Sequence, residues 1–457
     1  MHVMDHGIET GVCFEEENFI TLRNKEYPYL DEQSQVYLDF TGGNLCPVSL
    51  LDKHHALLRN NILGNPHSTN PTSQLSTKLV EEARQKVLSF FRAEDYICIF
   101  TKNASGALKI VGESYPFHAD SSFVLTGDNH NSVNGIRSFC QAKGGTTKYI
   151  GIQYEDLQID AENAIQILQT GDPEAHNLFA FPAQSNVSGV KHDLGWIEKA
   201  EDLGYDVLLD AAAFVPTSVL DLSKVHPAFV VISFYKMFGY PTGIGCLLVH
   251  KKAYHKLQKP WFAGGTVKVV SVADQHQILA EGHEKFEDGT LNYAGIPAIT
   301  FGLEYLESIG MDRINQRVLS LIQYVYTKLT ALQHANGVHV VKIFGPEHFN
   351  NHGGNIIMNF CNAEGRIIPY MEFEELANAH NISIRSGCFC NPGIDEINNC
   401  ITGEEMAGYF SSREDGDYND MVKYLGKLRG AIRLSVGIAT TQKDLDTFIA
   451  LVDSLRN

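Results

Sequence analysis

Short apolar runs, each closed by a breaker or a polar residue, recur through the middle of the chain. Tyr96–Phe100, Ser122–Leu125, Lys148–Ile152, Leu178–Pro182, Asp206–Leu209, Phe229–Ser233 and Gly245–Val249 are the clearest. Runs of this length, rich in β-branched and aromatic residues and bounded by turn formers, read as buried strands. Between them, helical periodicity covers about 104–114, 131–143, 159–169 and 193–204. Near-continuous apolar strands alternating with helices predict an α/β fold, a mostly parallel seven-stranded sheet covered on both faces. Ligands of such sheets sit at the carboxyl ends of the strands.

The flanks read differently. Residues 1–35 look acidic and irregular, Val36–Phe40 a short strand, 50–63 helical, and 64–71 a dense cluster of turn formers. A long amphipathic helix is predicted from Ser73, as N-cap, to about Arg92. Beyond 295 the pattern turns to long helices (296–309, 313–333) and fewer strands (Val338–Phe344, Gly354–Phe360). A helix at 371–379, the segment Ile382–Arg385, a polar loop or insertion over 394–420, a strand Ala431–Val436 and a helix at 442–455 follow. These patterns predict a large domain over 61–295 and a smaller α+β domain over 296–457, with residues 1–60 packing on the smaller one.

Charge and composition narrow the partners. With 36 basic against 54 acidic residues the formal charge is −18, which disfavours nucleic acid or an anionic membrane as partner. No apolar run approaches the roughly 20 residues a spanning helix needs, and the polar start, Met1 to Thr10, lacks the apolar core of a leader. Nine cysteines without such a leader point to reduced thiols and a cytoplasmic setting. Most should be small buried hydrophobes; Cys388 and Cys390, two residues apart in a Pro/Gly-rich turn, do not fit that description.

The candidate chemistry lies at strand ends. Lys236 stands between two apolar runs, and a lysine is almost never fully buried without a partner. It either snorkels at the strand end or is held in a cavity to bond an aldehyde cofactor. Thr101-Lys-Asn-Ala104-Ser105-Gly opens a helix, the arrangement of a phosphate cradle and also of an ordinary capped turn. Asp210 closes an apolar strand, where its carboxylate needs a partner; a pyridinium nitrogen is one, a turn cap another. His130 follows a strand, either to stack on a ring or to stand in solvent, and Asn186 lies in a polar loop after another.

In order, the chain presents a phosphate loop, His130, Asn186, Asp210 and then Lys236. That order resembles the large domain of fold-type I pyridoxal-phosphate enzymes, within them the class V aminotransferase and cysteine desulfurase group. The segment Ile384-Arg385-Ser-Gly-Cys388-Phe-Cys390-Asn-Pro-Gly393 is similar to the motif of the pyridoxal-phosphate domain of molybdenum cofactor sulfurases, as are Ser233-Phe-Tyr235-Lys236 and the alanines after Asp210. The resemblance implies pyridoxal 5'-phosphate held as a Lys236 imine, bound by Ala104, Ser105, His130, Asn186, Asp210, Ala212, Ser233 and Tyr235. It further implies Thr290 reaching the phosphate of a partner subunit in a homodimer, and Arg433, with Asn186 and Arg385, binding an amino-acid carboxylate. Cys390 falls at the position of a persulfide-forming cysteine, and His130, Lys236 and Cys390 form the implied catalytic set.

Two departures stand out. Ile394-Asp395 follow the Gly where the sulfurase pattern commonly continues with Cys, and the chain ends at Asn457, short of the sulfur-accepting domain of full-length sulfurases. A separate acceptor protein is therefore expected. Cysteine desulfuration or C–S lysis is the function implied; an aminotransferase or other amino-acid lyase that leaves the thiols unused is the alternative. A non-enzymatic member retaining the fold is a third reading.

Overall fold

The computed structural model describes residues 9–456. The polar start read at Met1–Thr10 lies largely outside the described residues, as does the side chain of Cys13. The main sheet has seven strands: β1 (Tyr96–Thr101), β2 (Ser122–Thr126), β3 (Thr146–Ile150), β4 (Asn177–Pro182), β5 (Tyr205–Asp210), β6 (Phe229–Ser233) and β7 (Gly245–His250). Their order across the sheet is β1-β7-β6-β5-β4-β2-β3. The pairs β6–β5, β5–β4, β4–β2 and β2–β3 are parallel, whereas β7 runs antiparallel to both neighbours. Six strands therefore end at one edge, as the apolar runs predicted.

Alternation along the strands sorts side chains to two faces. Phe123, Leu125, Val231 and Leu247 pack in a core with Leu108 and Val111 of the helix Ala104–Ser114. Val124, Val230, Ile232 and Leu248 pack on the other side with Val80 and Val87 of Pro71–Phe90 and with Leu303 of Pro297–Ile309. Burying each large apolar side chain contributes about 1.5–3 kcal/mol, so both faces are needed to fix the sheet.

A smaller antiparallel sheet holds Val341–Phe344, Asn355–Cys361, Ala431–Ser435 and Arg385–Gly387 in that order. Val36–Tyr37 pairs in parallel with Ile382–Ser383, and Asp39 bridges to Ser435, so the N-terminal segment is stitched to this region.

Several expectations shift. The segment taken as irregular before residue 35 forms the helices Glu9–Glu26 and Pro28–Glu32. Tertiary contacts supply what its sequence periodicity lacks: buried Arg23 pairs with Asp31 and with Asp444 at 2.7 Å. The stretch 394–420 is not a loop either. It contributes to the helices Pro392–Asn398, Gly403–Ser411 and Tyr418–Leu425, the last two opened by capping boxes, Thr402 with Glu405 and Asp417 with Asp420. The long helix after the turn cluster is capped by Asn70, whose side chain accepts from the Ser73 amide, with Pro71 in the first turn. Ser73 is thus inside the helix.

Candidate active site

The carboxyl edge of the main sheet carries a cleft. Residues after β1, β2, β4, β5 and β6 line it: Ala104, Ser105, His130, Asn186, Asp210, Ala212, Ser233, Tyr235 and Lys236 among them. The parallel topology accounts for the convergence, because five chain segments leave the sheet at the same edge.

One wall is the start of the helix Ala104–Ser114. Asn103 caps it, its side chain accepting from the Gly106 amide at 2.9 Å. The Ala104 amide donates to Ser233 Oγ at 2.8 Å, and the Ser105 and Ser132 hydroxyls lie 2.7 Å apart. Three hydroxyls and the amides of a helix start form an anion cradle. Gly245 allows it: a Cβ there would lie 2.5 Å from the Ile232 carbonyl oxygen and 2.7 Å from the Asn103 carbonyl carbon. Only glycine lets β7 approach the cradle this closely.

Lys236 sits in the single helical turn Phe234–Phe238 that follows β6. Burial pushes its ammonium below the ordinary lysine value; Arg433 and Arg385 act in the same sense, and Asp210 and Asp39 oppose them. His130 caps the turn Asn131–Asn134, its Nδ1 accepting from the Ser132 amide at 3.1 Å. Burial lowers the imidazole below its ordinary value; Asp210 opposes this and Lys236 adds to it. Burial therefore favours the uncharged ring. Asp210 Oδ1 accepts the Ala212 amide at 3.0 Å, and its other oxygen has no hydrogen-bond donor among the described residues.

This donor set fits pyridoxal phosphate. The cradle suits its phosphate, the uncharged imidazole a ring face, the open Asp210 oxygen a pyridinium N–H, and the lysine its aldehyde. Gln184 Oε1, buried without a hydrogen-bond partner among the described residues, belongs to a residue lining the same cleft and is a further unmatched acceptor.

The remaining predicted residues do not line the cleft. Arg433, 2% exposed, donates from Nη1 to the Asn186 carbonyl at 2.8 Å and from Nη2 to Asp39 Oδ1 at 2.7 Å. Arg385 also pairs with Asp39, at 2.7 Å. Cys390 is exposed, and its carbonyl accepts the Asn131 amide at 2.7 Å, which docks the cysteine loop on the turn that carries His130. Asn186 donates to the Phe389 carbonyl at 2.9 Å, and Asn391 to the Asp128 carbonyl at 2.6 Å. Thr290 is exposed and outside the cleft.

Sequence reasoning missed Asn103, Ser132, Gln184, Asp39 and Asn391. Asp39 had a signal: a carboxylate in an apolar strand must be paired. Ser132, two residues beyond His130, had none.

The class-V aminotransferase family model matches residues 36–448. Human molybdenum cofactor sulfurase is 36% identical over 95% of this chain and 51% of its own length. The chain spans about half the length of the relatives it matches. A cysteine desulfurase structure from Thermococcus onnurineus NA1 superposes with a TM-score of 0.78 at 25% identity, covering 95% of this chain and 97% of the other. The Escherichia coli cysteine desulfurase CsdA gives 0.76 at 19% identity, over 96% and 98%. The predicted likeness and the fold-type I architecture are thereby borne out, and the chain belongs to the class-V aminotransferase family.

Proposed function

We propose that this chain is a pyridoxal-phosphate-dependent cysteine desulfurase, and the observation that carries this is the convergence of Lys236, Asp210, His130 and the serine cradle on one cleft. Its likeness to sulfurases and cysteine desulfurases supports the reading. Bound pyridoxal phosphate supplies an aldehyde for an amine and a ring that takes up an electron pair. Ala104, Ser105 and Ser233 hold its phosphate, Asp210 pairs with the ring nitrogen, and His130 covers the ring, with Asn186, Ala212 and Tyr235 framing the pocket. Arg433 receives the substrate carboxylate through its planar fork; Asn186 orients that fork and Arg385 adds charge. Lys236, whose ammonium burial pushes below the ordinary lysine value, moves the α-proton. Cys390 takes the terminal sulfur: its thiolate bonds to the substrate sulfur as the C–S bond breaks, leaving alanine and a Cys390 persulfide. Burial pushes the Cys388 thiol up and Asp395 adds to the shift, which favours exposed Cys390 as the nucleophile.

A homodimer completes the site in this reading. Thr290 lies outside its own cleft and follows Gly289, whose amide donates to the Gly264 carbonyl at 2.9 Å just ahead of a hairpin (Val267–Val270, Gln277–Leu279) whose Val269, Val270 and Ile278 are exposed. Burying that face against a second copy brings Thr290 to the partner's phosphate cradle. The sulfur passes from Cys390 to a thiol of a separate acceptor protein, in a cytoplasmic setting that keeps the cysteines reduced. No described helix is long and apolar enough to cross a membrane. One observation favours a second reading, an aminotransferase or another amino-acid lyase: Cys390 does not line the cleft.

The test is borohydride reduction of the holoenzyme followed by peptide mass mapping. A pyridoxyl group on Lys236, absent from Lys236→Ala, is expected; a label on another lysine, or none, overturns the assignment.

A further inference from the structure

Asp39 is 7% exposed and receives two guanidinium groups at once. Oδ1 accepts Arg433 Nη2 at 2.7 Å, and Oδ2 accepts Arg385 Nε at 2.9 Å and Nη2 at 2.7 Å. The backbone closes over this carboxylate: a Cβ on Gly42 would lie 2.5 and 2.6 Å from its two oxygens. A bridge to Ser435 holds Asp39 in register with the strand that carries Arg433.

The junction is not balanced. Two guanidinium charges meet one carboxylate, which leaves one positive charge in excess beside Lys236. Nor is it saturated, because Arg433 Nε is buried with no hydrogen-bond partner among the described residues. A buried N–H without an acceptor is costly, so this donor marks where one more acceptor completes the junction. Arg385 differs from its neighbour: its side chain is 51% exposed against 3% for Arg433, and Asp39 is what restrains it.

We propose that Asp39 is a positioning and specificity-determining residue, aligning the Arg433 fork and setting the junction's charge so that it accepts amino acids with one carboxylate and discriminates against those with two. The inference rests on the reading of Arg433 as the carboxylate-binding group. Without Asp39 the junction carries two uncompensated charges and Arg385 is released, conditions that suit a dicarboxylate.

Two unreactive cysteine analogues that lack the amino group test this on the holoenzyme: 3-mercaptopropionate, with one carboxylate, and mercaptosuccinate, with two. In Asp39→Asn the ratio of their inhibition constants is expected to move toward mercaptosuccinate by about tenfold or more, the scale of one charge-assisted hydrogen bond. The KM for cysteine rises by a similar factor, with most of the loss in KM rather than kcat, and Asp39→Glu recovers part of the preference. A merely structural role lowers stability and kcat without moving the ratio, which overturns the proposal. If Asp39→Asn does not fold, Arg385→Gln serves: it removes the excess charge while leaving the Arg433–Asp39 pair, and is expected to weaken 3-mercaptopropionate about tenfold. Unchanged affinity there also overturns the proposal. Arg433→Gln separates the two layers. Wild-type affinity for both analogues in that variant defeats the reading of Arg433 itself; weakened affinity there, with an unmoved ratio in Asp39→Asn, defeats only the role of Asp39.

Discussion

Replacing Asn391 with alanine should loosen the cysteine loop while leaving Lys236, Asp210 and the serine cradle in place. Asn391 is fully buried. Its Nδ2 donates to the Asp128 carbonyl at 2.6 Å and to Asn186 Oδ1 at 3.1 Å, and its Oδ1 caps the helix Pro392–Asn398. Two net hydrogen bonds and a cap at about 1 kcal/mol each give a loss of about 2–3 kcal/mol. The loop has little in reserve. Phe389 and Cys390 both hold left-handed conformations, φ 56° and 54°, at about 1–2 kcal/mol each for non-glycine residues. Hydrogen exchange of the holoenzyme over 388–398 should therefore accelerate about 30- to 150-fold. Two reactions then separate. Exchange of the α-proton of alanine, which needs Lys236 but no thiol, should persist near the wild-type rate. Sulfur transfer from cysteine, which needs Cys390 in place, should fall about ten- to a hundredfold. Unchanged protection at 388–398, or equal losses in both reactions, would refute the reasoning.

Other outcomes follow from the same geometry. Gly245→Ala drives a methyl into the Ile232 carbonyl and the Asn103 backbone, so cofactor affinity, read by spectral titration of the apoprotein, should fall about tenfold or more while the fold persists. Buried Glu287 pairs with Arg84 at 2.7 Å and accepts from His283. Burial alone would raise its carboxyl, but His283 and Arg84 hold it below its ordinary value. A depressed carboxylate adds stability that is complete above the unfolded value, about 4.3, and is lost as pH falls through the folded value. At pH 7 Glu287→Gln should thus lower the urea-unfolding free energy by about 3–5 kcal/mol, by taking from buried Arg84 its buried partner and leaving it only the more exposed Glu81. That gap should narrow below about pH 4. A gap that is constant with pH would contradict the pairing.

Much of this was legible in the chain because the strong signals are local. Strands β1, β2 and β4 to β7 are apolar runs bounded by breakers, and Asp210 and Lys236 sit at or just past their ends. What escaped depends on contacts distant in sequence or on polar end signals. The helix Glu9–Glu26 is acidic, and Arg23 binds it to Asp444, 421 positions away. The helices Gly403–Ser411 and Tyr418–Leu425 announced themselves through Thr402-x-x-Glu405 and Asp417-x-x-Asp420, patterns outweighed by the polarity between them. Asp39 acquires its meaning only when the fold brings Arg385 and Arg433 to it across 346 and 394 positions. The cradle was readable at Ser105; its second hydroxyl, Ser132, comes from a turn that only the sheet order places beside the first.

The most direct test of the account is the fate of L-cysteine on the purified holoenzyme. Alanine and sulfur, as protein persulfide or released sulfide, should form in a one-to-one ratio, with turnover abolished in Lys236→Ala and persulfide absent in Cys390→Ala. Pyruvate and ammonia in place of alanine, or unimpaired alanine production by Cys390→Ala, would contradict it.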